Sequence, residues 1–215
     1  MKPSLSETVV CFDIDDTLFK EIDFLVSAYK EIAFKVGHPE AFHQMMEWYY
    51  SGKNVFKNLI YEYGLSSTLS DFLSIYRNHF PDISLEPGVK DYLYNLKQEG
   101  CILGVVSDGR SITQRNKIKA LGLETLLDIV VISEDTGAEK PSKVNCRIVM
   151  DTFPKKELYI YVGDNPRKDF LAPNELGWQT YCLIDDGKNI HSQDTYISKD
   201  YLPCFYIRSL LYFLR

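Results

Sequence analysis

The sequence lacks most of the features that mark a secreted, membrane or nucleic-acid-binding protein. Its five cysteines are odd in number and widely spaced, without the Cys-x-x-Cys spacing of zinc and redox sites. The first residues contain no apolar signal core, and no apolar run is long enough to span a bilayer. Lysine and arginine are dispersed and the net charge is -6, which argues against nucleic acid or a membrane as partner. We therefore expect a cytoplasmic protein with reduced cysteines.

The chain does contain a regular alternation of short apolar runs and helical patterns. Each run is rich in β-branched or aromatic residues and too continuous for a strand with one wet face, which predicts a fully buried strand of a parallel sheet. The five runs are TVVCFDI, CILGVVS, LLDIVVI, LYIYVG and QTYCLI. Helical patterns lie at residues 112–121, 142–152 and about 169–176. This alternation predicts an α/β fold with right-handed crossovers.

Residues 20–84 interrupt the alternation, because they contain helical patterns and no convincing strand. The patterns lie at residues 22–36, 41–50, 55–63 and 69–79, separated by glycine and proline. We therefore predict an α/β core made of residues 1–19 and 85–215 and a small helical bundle made of residues 20–84. The stretch HQMMEWYY, residues 43–50, is interpreted as the bundle's own core in preference to an aromatic substrate box. The apolar tail, residues 201–215, is predicted to form a last helix against the sheet.

Polar residues follow directly after four of the predicted strands, where an open parallel sheet binds its ligands. Because the carboxyl ends of parallel strands share one edge of the sheet, we expect these residues to meet in space. They are Asp13, Asp15 and Thr17 after the first strand, Ser107, Asp108, Gly109 and Arg110 after the second, Lys140 after the third, and Asp164, Asn165 and Asp169 after the fourth.

The chemistry available to these side chains is narrow. Several carboxylates with backbone carbonyls form an oxygen-lined site suited to Mg²⁺. A hydroxyl, turn N–H groups and a lysine are the donors that the oxygens of a phosphoryl group require. A carboxylate can also take up a phosphoryl group as a nucleophile while a neighbouring acid protonates the leaving oxygen. The set therefore indicates phosphoryl transfer.

Four parts of the sequence resemble the motifs of the haloacid dehalogenase superfamily, in the right order and each after a predicted strand. The first is DIDDT, residues 13–17, which resembles the family's DxDxT motif. Ser107, Lys140 and the segment GDNPRKD, residues 163–169, stand where the family has its second, third and fourth motifs. The four together are far more specific than any one alone. The resemblance implies a Rossmann-like parallel-sheet core with a helical cap inserted after the first motif.

The resemblance also implies roles for the acids of the first motif and for the lysine. Asp13 would be the nucleophile that forms an aspartyl-phosphate, and Asp15 the general acid and then the base that activates water. Lys140 would neutralise the charges of Asp13 and the phosphate. Family members that cleave carbon–halogen bonds lack the second acid, so Asp15 favours phosphoryl transfer over dehalogenation. Asp16 is given no role beyond that of a turn or helix N-terminal acid.

The remaining site residues are assigned to the metal and the phosphate by the same resemblance. Mg²⁺ would be held by Asp13, the backbone carbonyl of Asp15 and Asp164, with Asp169 orienting a ligand or a metal-bound water. Simple helix capping is the alternative for Asp169. The phosphate-binding candidates are Thr17, Ser107, the N–H groups near Asp108 and Gly109, Lys140, and Arg110, for which an ordinary surface position is the alternative. No histidine is assigned a role.

The predicted function is that of a Mg²⁺-dependent phosphatase that hydrolyses a small soluble phosphomonoester, as a monomer or homodimer. A phosphotransferase or sugar-phosphate mutase on the same scaffold is the first alternative, because an aspartyl-phosphate can be passed to a hydroxyl as well as to water. A catalytically inactive binding module with the same fold is the second.

Overall fold

The computed structural model describes residues 4–211 and 213–214, and a six-stranded parallel sheet forms its centre. The strands are β1 (Thr8–Phe12), β2 (Ile102–Ser107), β3 (Ile129–Ile132), β4 (Leu158–Gly163), β5 (Gln179–Leu183) and β6 (Phe205–Ile207). Their order in the sheet is β3-β2-β1-β4-β5-β6, so β1 lies between β2 and β4. In this register Cys11 pairs with Gly104 on one side and with Tyr161 on the other.

The central strands are covered by apolar side chains on both faces, which explains why their sequences read as continuous apolar runs. All five residues of β1 are buried. Val10 and Phe12 belong to one hydrophobic cluster, whereas Val9 and Cys11 belong to a second cluster on the opposite face. The predicted Rossmann-like α/β core with a parallel sheet is therefore confirmed, and the five predicted strands lie where they were expected.

The predicted tail helix is wrong. The described residues after Tyr201 contain no helix, and Phe205–Ile207 forms the edge strand β6 instead. The strand pairs with β5, and the Phe205 ring stacks on Tyr181 with 4.9 Å between the ring centroids. Backbone pairing at the open edge of β5 thus determines the conformation of this segment. Residues 212 and 215 of the predicted helix lie outside the described residues.

Ten α-helices accompany the sheet in the described part of the chain. They are α1 (Glu21–Lys35), α2 (Ala41–Tyr50), α3 (Val55–Glu62), α4 (Leu69–Asn78), α5 (Val89–Gln98), α6 (Ser111–Ala120), α7 (Ser133–Thr136), α8 (Val144–Thr152), α9 (Pro166–Asp169) and α10 (Leu171–Glu175). Within residues 4–211 and 213–214, none of the helices combines the length and apolar character that a membrane crossing requires.

The helix predicted at residues 169–176 is divided into two short helices by Pro173. Pro166 occupies the first turn of α9, and the Asn165 side chain accepts the N–H of Arg167 as its cap. Proline has no N–H, so Pro173 cannot donate to the carbonyl of Asp169 four residues before it. Phe170, with φ −107° and ψ −21°, lies between the two helices and accepts the N–H of Asn174 in the first turn of α10.

Helices α1 to α4 pack around a hydrophobic cluster of their own. Met45, Leu59 and Phe72 are completely buried in it, and Trp48 is nearly so. The interpretation of the aromatic stretch as core is confirmed for Met45 and Trp48, while Tyr50 points outward with 73% of its surface exposed. A reciprocal capping box between Thr68 and Asp71 starts α4.

Candidate active site

A cavity of about 160 Å³ lies at the carboxyl ends of the central strands, where the sequence predicts the site. Seven of its lining residues are acids, against two lysines, so the cavity carries an excess of negative charge. The lining residues are Asp13, Asp15, Asp16, Glu21, Ser107, Asp108, Lys140, Asp164, Asn165, Lys168, Asp169 and His191. The structure thus brings most of the predicted site residues together.

Asp13 follows β1 and is held by contacts with β4 and with Lys140. Its N–H donates to the carbonyl of Val162 at 2.9 Å, which fixes the backbone beside β4. Its Oδ2 atom forms an ion pair with Lys140 Nζ at 2.9 Å, and its buried Oδ1 atom has no hydrogen-bond partner. One carboxylate oxygen of Asp13 is therefore buried without a hydrogen-bond partner.

Lys140 connects Asp13 to Asp169 at the back of the site. Its Nζ lies 2.7 Å from Asp169 Oδ1 and donates to the Tyr161 hydroxyl at 3.2 Å. Burial would lower the pKa of this ammonium, but the charges of Asp13 and Asp169 outweigh burial and hold its pKa well above the ordinary value. Lys140 is therefore a fixed positive charge between two carboxylates.

Asp169 orders the loop that carries Asp164. Its Oδ2 accepts the N–H groups of Asp164 at 3.1 Å and of Asn165 at 2.8 Å, while its Oδ1 accepts from Lys140. These partners precede Asp169 in the chain, so the alternative that it caps the helix following it is wrong. Asp164 itself is 5% exposed, and its Oδ2 accepts from the Asn189 amide at 2.9 Å.

Three carboxylates in the cavity are arranged as a cation site requires. One oxygen each of Asp13, Asp164 and Asp169 lies within 4.8 Å of the others, and all three residues are buried. Burial, reinforced by neighbouring acids, raises the pKa of Asp13 to about 6 and that of Asp164 to about 9. Together with the unpartnered Asp13 Oδ1, this crowding of three carboxylates around one lysine fits a hard divalent cation with oxygen ligands.

Asp15 has a different environment from Asp13, although only one residue separates them. Its Oδ1 accepts from Lys117 Nζ at 2.6 Å and its Oδ2 from Gln114 Nε2 at 3.0 Å. Both donors belong to α6, and the sequence analysis did not identify them. The signal that could have revealed them is their position: with Ile118 and Leu121 they share the inward face of the helix at i, i+3, i+4, i+7 spacing.

Ser107 and Asp108 line the cavity as predicted, but their neighbours in the loop do not. The Ser107 hydroxyl accepts from Gln114 Nε2 at 2.8 Å, and Asp108 Oδ1 accepts the N–H of Lys140 at 3.0 Å. The N–H of Gly109 already donates to the Ser133 hydroxyl at 3.0 Å. Arg110 lies outside the cavity and pairs with Glu134 on the surface.

Thr17 is buried outside the cavity lining, and its hydroxyl has no hydrogen-bond partner. Its neighbour Asp16 serves the backbone, accepting the N–H of Glu21 at 2.9 Å and of Ile190 at 3.0 Å. The interpretation of Asp16 as a turn or helix N-terminal acid is therefore confirmed.

The loop after β5 closes one side of the cavity and was not anticipated from the sequence. It contributes Asn189, which binds Asp164, and His191, which lines the cavity. Lys20, which precedes α1, donates to Asn189 Oδ1 at 2.8 Å. Asp185 in this loop accepts the backbone N–H groups of the three residues 187–189, which fixes the turn.

Position 163 has no room for a side chain, because the Asp169 carboxylate packs against its backbone. A Cβ atom at this position would lie 2.4 Å from Asp169 Oδ2. Gly163→Ala is therefore expected to displace Asp169 and to weaken binding of a divalent cation by about tenfold to 100-fold, as loss of an outer-shell contact does. Isothermal titration calorimetry with Mg²⁺ measures this affinity.

Gly104→Ala provides the matched control for that variant. A Cβ atom there would lie 2.7 Å from Ile129 Cγ2, so it crowds the hydrophobic core instead of a carboxylate. We expect a lower melting temperature with unchanged Mg²⁺ affinity. Equal Mg²⁺ affinities for Gly163→Ala and the unmodified protein would contradict the role given to Asp169.

Comparisons with known proteins agree with this geometry. A model of the haloacid dehalogenase-like hydrolases matches residues 10–182. The glyceraldehyde 3-phosphate phosphatase of Pyrococcus furiosus is 27% identical over 188 residues, which cover 80% of this chain and 78% of the relative. The ribulose-1,5-bisphosphate 5-phosphatase of Halopiger xanaduensis is 26% identical over 80% of this chain and 83% of the relative. The magnesium-bound structure of the HAD-hydrolase YfnB from Bacillus subtilis superposes with a TM-score of 0.66 at 23% identity, over 94% of both chains.

Proposed function

The chain belongs to the haloacid dehalogenase-like hydrolases, as a phosphoric monoester hydrolase, and we propose that it hydrolyses a small phosphomonoester through an aspartyl-phosphate on Asp13, with Mg²⁺ as cofactor. The observation that carries this proposal is the contrast between Asp13 and Asp15. One buried oxygen of Asp13 has no hydrogen-bond partner, whereas both oxygens of Asp15 are held by donors from α6. Two neighbouring acids with different environments suit the two roles of nucleophile and proton carrier.

The first half-reaction transfers the phosphoryl group to the protein. An oxygen of Asp13 attacks phosphorus, the bond to the ester oxygen breaks, and that oxygen takes a proton from Asp15. Lys140 holds the attacking carboxylate in position through its 2.9 Å contact with Asp13. Ser107, which is buried beside Asp15 and Gln114, is placed to donate to a phosphoryl oxygen.

The second half-reaction returns the protein to its starting state. A water molecule attacks phosphorus, Asp15 accepts the proton of that water, and the bond between phosphorus and Asp13 breaks to release inorganic phosphate. Lys168 and His191 also line the cavity, where they can contact the departing group. The proton that Asp15 gave up in the first step is thereby restored.

The proposed ligands of Mg²⁺ are Asp13, Asp164 and the backbone carbonyl of Asp15. Asp169 orders the loop that carries Asp164. When bound, the ion neutralises charge on the transferring phosphoryl group. The support in this chain is the cluster of three buried carboxylates, and YfnB, which shares the fold, binds magnesium in its structure. The phosphatase relatives act on phosphorylated sugars or pyrophosphate, as their names state.

Helices α1 to α4 are proposed to act as a cap over the cavity, in keeping with the predicted domain at residues 20–84. Glu21, at the start of α1, lines the cavity, and burial beside Asp15 raises its pKa to about 7. A lid of this kind excludes water during the first transfer and selects the leaving group. The limited cavity volume supports a small ester as substrate.

The cysteines of the chain are all free thiols, which supports the proposal of a reducing compartment. The cytoplasmic location and the monomeric or homodimeric state stay predictions.

Release of inorganic phosphate is the direct test of this function. A screen of sugar phosphates, nucleotides, phosphoglycolate and glycerol phosphates with Mg²⁺ is expected to give phosphate from at least one ester without any added acceptor. Chelation of the metal should lower the rate roughly 100-fold, because the cation stabilises the transition state by several kcal/mol. Turnover that requires a second sugar would favour the phosphotransferase, and turnover indifferent to chelation would exclude the proposed cofactor.

A further inference from the structure

We propose that Lys117 and Gln114 are positioning residues that hold the Asp15 carboxylate in the geometry needed for proton transfer. The inference rests on the function proposed above, because it concerns the proton carrier of that reaction. Neither residue belongs to the four sequence motifs, and neither follows a strand.

The two side chains hold both oxygens of Asp15 from one helix. Lys117 Nζ lies 2.6 Å from Oδ1, and Gln114 Nε2 lies 3.0 Å from Oδ2. The same amide nitrogen lies 2.8 Å from the Ser107 hydroxyl and 3.0 Å from the Asp108 carbonyl. Gln114 thereby fixes Asp15 relative to the loop that is proposed to bind phosphate.

Lys117 is buried where an unpaired ammonium would be strongly destabilising. Its side chain is only 5% exposed, and its Nζ lies 4.6 Å from the centre of the Phe24 ring and 5.7 Å from that of Phe19. These aromatic rings attract the cation in addition to Asp15. The ammonium thus has a single well-defined position, and Asp15 is its carboxylate partner there.

Helix α6 is itself fixed against α4, so its side chains cannot drift away from Asp15. The Thr113 hydroxyl donates to the Arg77 carbonyl at 2.8 Å. The Asn116 amide donates to the carbonyls of Asn78 at 3.2 Å and His79 at 3.1 Å. Helix α6 therefore contacts the end of α4 with one set of side chains and Asp15 with another.

This arrangement keeps the Asp15 carboxylate in one place while the proton is transferred. As the phosphorus–oxygen bond breaks, the proton of Asp15 moves to the ester oxygen, and the carboxylate left behind is met by two donors already in place. Donors that are aligned before the reaction stabilise developing charge without having to reorganise. The contribution should grow with the basicity of the leaving oxygen, because a basic oxygen needs the proton more.

The test compares the unmodified protein with Lys117→Met over a series of substituted phenyl phosphates, in the presence of Mg²⁺. These esters are alike in size but range from the weakly basic p-nitrophenolate to more basic leaving groups. We expect kcat/KM to fall by less than about tenfold for p-nitrophenyl phosphate and by about 100-fold for phenyl phosphate. Lys117→Arg, which keeps the cation, should restore a dependence on the leaving group close to that of the unmodified protein.

Two further variants keep the test decisive. Lys119→Met removes an exposed lysine of the same helix and should leave kcat/KM unchanged for every ester of the series. Lys117→Gln keeps a hydrogen-bond donor without the charge, so its loss of kcat/KM should lie between those of the unmodified protein and of Lys117→Met. If Lys117→Met does not fold, Lys117→Gln takes its place in the comparison. An equal loss for all esters, or no loss, would overturn the positioning role. Absence of phosphate release by the unmodified protein would instead refute the proposed function.

Discussion

Asp13→Asn is expected to lower kcat by about 10⁴-fold or more, because an amide cannot act as the nucleophile that takes up the phosphoryl group. The substitution preserves the size of a side chain that is only 8% exposed, so the fold should be retained. It also removes the charge that pairs with Lys140 at 2.9 Å. Phosphate release from p-nitrophenyl phosphate, followed at saturating substrate and Mg²⁺, measures the effect.

Asp16→Asn is the matched control, since it changes a neighbouring acid whose side chain accepts backbone N–H groups. Asp16 has a φ angle of 52°, a conformation that asparagine adopts readily. Its side chain accepts two N–H groups, and asparagine can keep one of them. We expect less than about a tenfold loss of activity and about 1 kcal/mol of lost stability. Full activity in Asp13→Asn would refute the covalent mechanism.

The central strands were predictable because helices cover both faces of the sheet. Burial on both sides requires apolar residues at consecutive positions, and such runs are visible in the sequence at Thr8–Phe12 and Leu158–Gly163. The edge strand Phe205–Ile207 leaves no comparable signal, because it is three residues long and two of them are exposed. Its conformation depends on the open edge of β5, which the local sequence does not reveal.

The sequence allowed four site residues to be grouped in advance, because each follows a strand that ends at the same edge of the sheet. They are Asp13, Lys140, Asp164 and Asp169. Lys117 could not be grouped with them by that rule, since it lies within a helix. Helix α6 also carries the basic residues Arg115 and Lys119, which are exposed. Only the orientation of the helix, set by Ile118 and Leu121 on its buried face, determines that Lys117 is the one turned inward.

The loop after β5 shows a second limit of sequence reasoning. Asn189 binds Asp164 across 25 positions of the chain, and it also accepts a hydrogen bond from Lys20, which precedes the first cap helix. No local pattern marks an asparagine for this role. The structure therefore adds a connection between a proposed metal ligand and the start of the proposed cap, which the position of residues after strands alone does not predict.

Asp15→Ala is expected to lower kcat by about 10³-fold while leaving Mg²⁺ affinity largely intact, because the two functions belong to different atoms of the residue. The side chain is proposed to carry the proton in both half-reactions, and general acid–base catalysis of this kind contributes roughly 10²-fold to 10⁴-fold. The metal contact proposed for Asp15 is made by its backbone carbonyl, which alanine retains. Steady-state kinetics and calorimetric titration with Mg²⁺ measure the two properties separately.

The same substitution leaves the Lys117 ammonium buried without its partner, which is expected to lower the free energy of unfolding by about 3–5 kcal/mol. Asp15→Asn keeps an acceptor for Lys117 and removes the acidic proton, so it should be equally inactive but more stable than the alanine variant. A loss of Mg²⁺ affinity above tenfold in both folded variants would show that the side chain binds the metal. Activity within tenfold of the unmodified protein in Asp15→Asn would remove Asp15 from the proton transfer and, with it, the reason for the contacts that Lys117 and Gln114 make.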